Sequence, residues 1–161
     1  MSTTLAFSVV SRVLLRQIRR CDLPIGRPVP DGAVLARDLG VPEIAVDQAL
    51  RELHAAGVVA DGVAGRVVAP VRQWGFSPPV PTASAQAAAR TLRVMIYNDI
   101  LRPGELLTPS DVAACLAVRY NRLDIGDALI ELAAGGLVTP QAEPRGFIVR
   151  CRQHPRRRQQ S

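Results

Sequence analysis

The sequence predicts a mainly α fold with small β-hairpins, an α+β protein in which one unit occurs twice. Three observations carry this expectation. First, Ala49-Leu50-Arg51-Glu52-Leu53-His54-Ala55-Ala56-Gly57-Val58-Val59 aligns with Ala128-Leu129-Ile130-Glu131-Leu132-Ala133-Ala134-Gly135-Gly136-Leu137-Val138, most positions being identical. Self-similarity of this kind sets the domain count before any element is assigned. Second, the match extends upstream with small shifts: Arg12, Leu14, Ile18, Leu23 and Gly26 correspond to Arg90, Leu92, Ile96, Leu101 and Gly104, and Leu35-Ala36 to Val112-Ala113. Third, Pro78-Pro79-Val80-Pro81 lies between the copies and can continue neither a helix nor a central strand. The expected organisation is a first unit over residues 1–70, a stiff Pro-rich linker over 71–84, a second unit over 85–151 and a basic, disordered tail over 152–161.

Each copy reads element by element. Phe7, Val10, Leu14 and Ile18 recur at helical spacing, which predicts an amphipathic first helix ending before Leu23-Pro24-Ile25-Gly26. Asp31 stands where a cap belongs, ahead of a short second helix with Val34, Leu35 and Leu39 on its apolar side and Gly40 as its stop. Pro42 suits the first turn of a third helix running to about Ala56, with Ile44 or Ala45, Ala49, Leu50 and Leu53 inward and Gly57 as left-handed terminator. Val58-Val59 and Arg66-Val67-Val68 flank Asp61-Gly62-Val63-Ala64-Gly65, and the Asp-Gly pair predicts a hairpin turn.

The second copy repeats the order, with helices over about 85–100, 109–116 and 121–135 and a hairpin from Leu137-Val138 and Phe147-Ile148-Val149. Thr108 is expected to cap the middle helix, where Pro109 has no amide to satisfy and Asp111 complements the positive helix start. Three helices followed by a hairpin make a winged helix. The expected architecture is therefore two tandem winged helix-turn-helix domains.

Composition narrows the partner. The net charge is +6, and all 20 basic residues are Arg, since the chain contains no Lys. A guanidinium presents a planar fork that matches phosphate oxygens and the guanine edge, so this balance favours nucleic acid. Catalysis is not expected. His54 and His154 are the only histidines, and no Gly-x-x-x-x-Gly-Lys, Gly-x-Ser-x-Gly or His-Glu-x-x-His pattern occurs. Cys21, Cys115 and Cys151 are widely spaced, without a Cys-x-x-Cys or a nearby His pair, so neither a disulfide framework, a metal site nor a cofactor is expected. Met1-Ser2-Thr3-Thr4-Leu5 lacks the features of a signal peptide, and no apolar run reaches the ~18 residues of a membrane span, so the expected location is the cytoplasm, at the nucleoid.

The two copies share a turn ending in Pro24-Ile25-Gly26 or Pro103-Gly104, a Leu35-Ala36 or Val112-Ala113 pair, an Ala-Leu-x-x-Leu run and a closing Gly-Val-Val or Gly-Leu-Val. This pattern resembles the GntR-type winged helix-turn-helix domain of bacterial transcriptional regulators, with Leu101-Arg102-Pro103-Gly104-Glu105-Leu106-Leu107 the closest stretch. The resemblance implies a third helix whose start enters the major groove and a wing that reaches the adjoining minor groove or its phosphates. Family members place Ser-Arg at that helix start and another Arg a turn later, whereas the first copy has Pro42-Glu43 and Asp47, two acids that oppose phosphate. The first copy is therefore expected to dock a partner, and the second to read DNA.

The candidate contacts in the second copy are Thr108, Arg119, Tyr120, Asn121 and Arg122, with Arg66 and Arg145 at the wings and Arg156, Arg157 and Arg158 adding non-specific attraction from the tail. Arg12, Arg16 and Arg20, with Arg19 beside them, form a stripe that either tracks phosphates or is a solvated helix face. GntR-type regulators carry a C-terminal effector domain, and nothing after Arg150 is expected to supply one, so no small-molecule effector is expected. The expected function is a DNA-binding transcriptional regulator. A winged-helix interaction scaffold and a plasmid replication or partition protein are the alternatives, and a homodimer could form through the first helices or through Trp74 and Phe76.

Overall fold

The Ser8 hydroxyl accepts the Ser11 N–H at 3.3 Å and so opens the first helix, α1, Val9–Arg19. In the computed structural model, which describes residues 7–77, 80–116, 120–141 and 145–150, there follow α2 (Gly32–Leu39), α3 (Glu43–Ala55), β1 (Val59–Gly62) and β2 (Gly65–Val68). Then come α4 (Ala83–Tyr97), β3 (Leu106–Leu107), α5 (Pro109–Cys115), α6 (Arg122–Ala134), β4 (Val138–Gln141) and β5 (Gly146–Val149). The described residues thus form an α+β protein with six α-helices and two small antiparallel sheets, β1-β2 and β3-β5-β4.

The internal repeat is written into the backbone hydrogen bonds. Asp22 N–H donates to Gln17 O as Ile100 N–H does to Met95 O, both at 2.9 Å, and Gly26 N–H donates to Val68 O as Gly104 N–H does to Val149 O, both at 2.8 Å. Val58 N–H to Leu53 O and Leu137 N–H to Leu132 O close both third helices over the positive-φ residues Gly57 and Gly136. Even the strain recurs: Cys21 and Asp99, at equivalent positions after α1 and α4, have φ of 64° and 56°.

Three local features differ from the sequence reading, each for an identifiable reason. Asp61 and Gly62 belong to β1, in register with Arg66 and Gly65, so the hairpin turns at Val63-Ala64. Gly65, at φ +122°, supplies the unusual dihedral, and the Asp61 carboxylate is 3.2 Å from the His54 ring. The second sheet gains β3, which pairs Leu106 with Ile148 and Leu107 with Phe147. Its counterpart in the first copy shrinks to one bridge, Pro28 to Val67, because proline has no N–H to give a ladder. Of the two options on α3, Ala45 is half-buried and Ile44 is exposed, while Val46 is fully buried.

The first part of the expected linker is also structured. Val71–Gln73 make a 3-10 turn, Trp74 is buried with its indole N–H donating to Ala69 O at 2.9 Å, and Gly75 N–H donates to Ala56 O at 2.8 Å. Phe76 stacks on Trp74 with ring centroids 6.0 Å apart and meets Phe7 at 5.2 Å. A Cβ at Gly57 would lie 2.4 Å from Gln73 O, so both its φ of +78° and this close approach require glycine there. Further on, the Thr82 hydroxyl accepts the Ala85 N–H at 3.0 Å and starts α4 at Ala83.

Helix packing joins the two copies. The α1 helix packs on α3 within its own unit and on α6 of the other, and α6 in turn packs on α4 and α5. Among the described residues the equivalent α3–α4 pair makes no contact of comparable extent. One apolar core, from Val10 to Val149, runs through both copies.

Two outcomes follow. Cys21→Gly removes a left-handed strain of roughly 1–2 kcal/mol and adds back part of it as unfolded-chain entropy, so it should stabilise the protein by about 0.5–1 kcal/mol in denaturant melts. Glu52 is a half-buried carboxylate on α3: burial acts to raise its pKa, but hydrogen bonds from the Ser11 hydroxyl, from Ser8 and from Gln48 outweigh this and hold it below its ordinary value. A depressed carboxylate contributes stability that is present above its unfolded pKa and lost as pH falls through its folded one. Thermal melts of Glu52→Gln should therefore show a flatter acid limb than wild type, with the two curves converging at low pH.

Candidate nucleic-acid interface

The start of α6 gathers most of the described candidate residues. Asn121 caps the helix, its Oδ1 accepting the Asp124 N–H at 2.8 Å, and Thr108 caps α5, its hydroxyl accepting the Asp111 N–H at 3.1 Å ahead of Pro109. Arg122 is exposed, and its Nη2 donates to the Ser110 hydroxyl at 3.2 Å, which ties the starts of α5 and α6 together. Asp124 turns inward, accepting the Thr82 hydroxyl at 2.7 Å. The guanidinium of Arg122 thus stands at the positive end of a helix with no carboxylate at ion-pair distance among the described residues.

The other candidates divide. Tyr120 is half-buried against the core. Arg66 and Arg145 are exposed, one on β2 and one at the turn before β5. Arg119, Arg156, Arg157 and Arg158 lie outside the described residues. Sequence reasoning missed Leu123, which is 80% exposed beside Arg122; its equivalent in the first copy, Ile44, is 73% exposed as well.

Beyond its first turn, the outward face of α6 meets α1. Arg12 Nη2 lies 3.0 Å from Asp127 Oδ1, Arg16 Nε 3.1 Å from Glu131 Oε2, and Arg20 Nη1 3.5 Å from Glu131 Oε1. The Gln17 amide donates to Ala134 O at 3.3 Å. The arginine stripe thus faces carboxylates of α6, with Arg12 and Arg20 still exposed to solvent and Arg16 half-buried, because spacing of four on α1 meets spacing of four on α6. Burial acts to lower the Arg16 pKa, while Glu131 supports its charge. The approach of Arg16 is ionic rather than a directed hydrogen bond, since its buried Nε finds no aligned acceptor.

Comparison of the two third helices explains why only one is covered. Ile130 and Ala134 share the Asp127–Glu131 face and are buried, whereas Arg51 and Ala55, their equivalents on α3, are exposed. Glu131 serves the arginines of the other copy; Glu52, at the matching position, accepts from Ser8 and Ser11 of its own. A second link joins the copies where Arg150 Nη1 donates to Asp38 O at 3.0 Å.

No protein-family model, no curated protein and no solved structure matches this chain. Among the described residues no helix is long and apolar enough to cross a membrane, and no group of three or more His, Cys, Asp or Glu is arranged to hold a metal ion. One cleft of about 260 Å³ opens between α4 and α6, and Arg90, Arg93, Asp127 and Glu131 contribute to its lining.

Burial ranks the two ion pairs. Arg16 and Glu131 are only 12% and 26% exposed, against 45% and 34% for Arg12 and Asp127. Exposed pairs are worth at most ~1 kcal/mol and often much less. Double-mutant cycles in alanine should give a coupling of about 1 kcal/mol for Arg16–Glu131 and below roughly 0.5 kcal/mol for Arg12–Asp127.

Proposed function

We propose that the protein binds double-stranded DNA through two tandem winged helix-turn-helix units, of the kind the sequence resembles in GntR-type regulators, and acts in transcriptional regulation. The observation that carries this reading is the exposed Arg122 at the start of α6, hydrogen-bonded to Ser110 and with no carboxylate at ion-pair distance among the described residues. In helix-turn-helix docking the first residues of the reading helix contact base edges. A guanidinium there suits the guanine edge, and an apolar neighbour such as Leu123 suits the thymine methyl. Arg145 on the wing and Arg66 on the first hairpin supply cations for phosphate.

The third helix of the first unit has a role other than reading bases. Its α3 presents Glu43, Ile44 and Asp47 to solvent, acids that repel phosphate around an apolar residue. That face favours a second reading for the first unit alone, a surface that docks another protein.

Binding isotherms separate these roles. Arg122→Ala should weaken binding to a selected DNA site about tenfold or more, since a good base contact is worth ~1–3 kcal/mol. Glu43→Ala with Asp47→Ala should leave affinity unchanged or slightly tighter and the preferred sequence the same. If the acidic pair is essential and Arg122 dispensable, the reading role belongs to the first unit.

A further inference from the structure

The outward face of α6 is the surface a major groove would meet, and α1 of the other copy lies over all but its first turn. Arg12, Arg16 and Arg20 cover Asp127 and Glu131, with Ile130 and Ala134 buried between them on the same face. A duplex approaching Arg122 and Leu123 therefore has the start of the helix open to it and the remainder occupied.

We propose that α1 is a releasable cover on α6, and that DNA phosphates compete with Asp127 and Glu131 for the same three arginines. The inference rests on the DNA-binding reading given above and concerns how that site is controlled. In the covered state the two acids are neutralised and α6 is withheld from the groove. On release, three guanidinium groups become available to phosphate and the outward face of α6 is exposed. Arg90 and Arg93 on α4 line the same cleft as Asp127 and Glu131, so the carboxylates have a second set of cations within their own unit once α1 leaves. Two alternative pairings for one set of charges are what a two-state element requires. Because α1 also packs on α3 of its own unit, it would leave α6 together with that unit rather than unfold.

The expected size follows from population arithmetic. A cover closed in nine molecules of ten lowers apparent affinity about tenfold, and a variant that cannot close regains it. The test uses the full chain, a labelled random-sequence duplex at low salt, fluorescence anisotropy for affinity and small-angle X-ray scattering for the separation of the units. Asp127→Arg with Glu131→Arg sets like charges against α1, and should expand the chain and tighten binding about tenfold or more.

The added cations on α6 would by themselves tighten binding, so a compensating variant is needed. Adding Arg12→Asp and Arg16→Glu to the same chain reverses the two closer ion pairs, with Arg20 unchanged, and returns the net charge to its wild-type value. It should restore both the compact form and wild-type affinity. If it regains the compact form yet still binds tightly, simple charge explains the effect and the cover is refuted. An expanded first variant with wild-type affinity refutes it also, leaving the DNA-binding reading intact. Should the first variant stay compact, the contact is a fixed interface and not a cover. Circular dichroism melts identify a variant that fails to fold, in which case Arg12→Asp with Arg16→Glu alone takes its place as the opening variant, read by scattering. If no variant and no wild-type protein binds duplex at low salt, the DNA-binding reading itself is overturned.

Discussion

The rest of the structure depends on α6 having two partners. Ile125, Ala128, Leu129 and Leu132 are buried along one side of the helix, and Ile130 and Ala134 along the other, where α1 lies. Burying an isoleucine such as Ile130 is worth roughly 1.5–3 kcal/mol, so apolar contact adds to the ion pairs in holding the copies together. It does not set their register, because burial has no direction. Register comes from the ladder of Arg12, Arg16 and Arg20 against Asp127 and Glu131, which is satisfied only when one turn of α1 faces one turn of α6.

Most of the elements were legible in the sequence because their causes are local. Helical spacing, the cap at Thr108 and the glycines at 40 and 57 act within a few residues of where they sit. What was not legible has distant causes. Nothing within a window around Arg12 says that Asp127, more than a hundred residues away, will neutralise it. The one available clue was a mismatch within the repeat: Ile130 stands where the first copy has Arg51, and a helix that is apolar nearly all round has more than one partner. The Asp61-Gly62 turn signal was overridden in the same way, by strand register and the His54 contact.

The candidate site was readable as a place more than as a set of roles. The start of α6 holds Asn121 and Arg122 together, but the side-chain oxygens of Asn121 and Thr108 are engaged in capping. A residue type common in DNA contacts is thus equally common at helix starts, and spacing alone does not separate the two uses. Arg122 is distinguished only by its surroundings, exposure on one side and Ser110 on the other.

The helix pair α1–α6 is extensive, while α4 and α3, which correspond to it by the repeat, make no pair of comparable extent among the described residues. A two-fold dimer presents every contact in duplicate, residue i to j and j to i. Joining such a dimer into one chain would have left both contacts in place. The α1–α6 junction is instead one-way, one copy bringing arginines on its first helix and the other an apolar strip on its third. A one-way contact of this kind, repeated, would build a string of units rather than a closed pair.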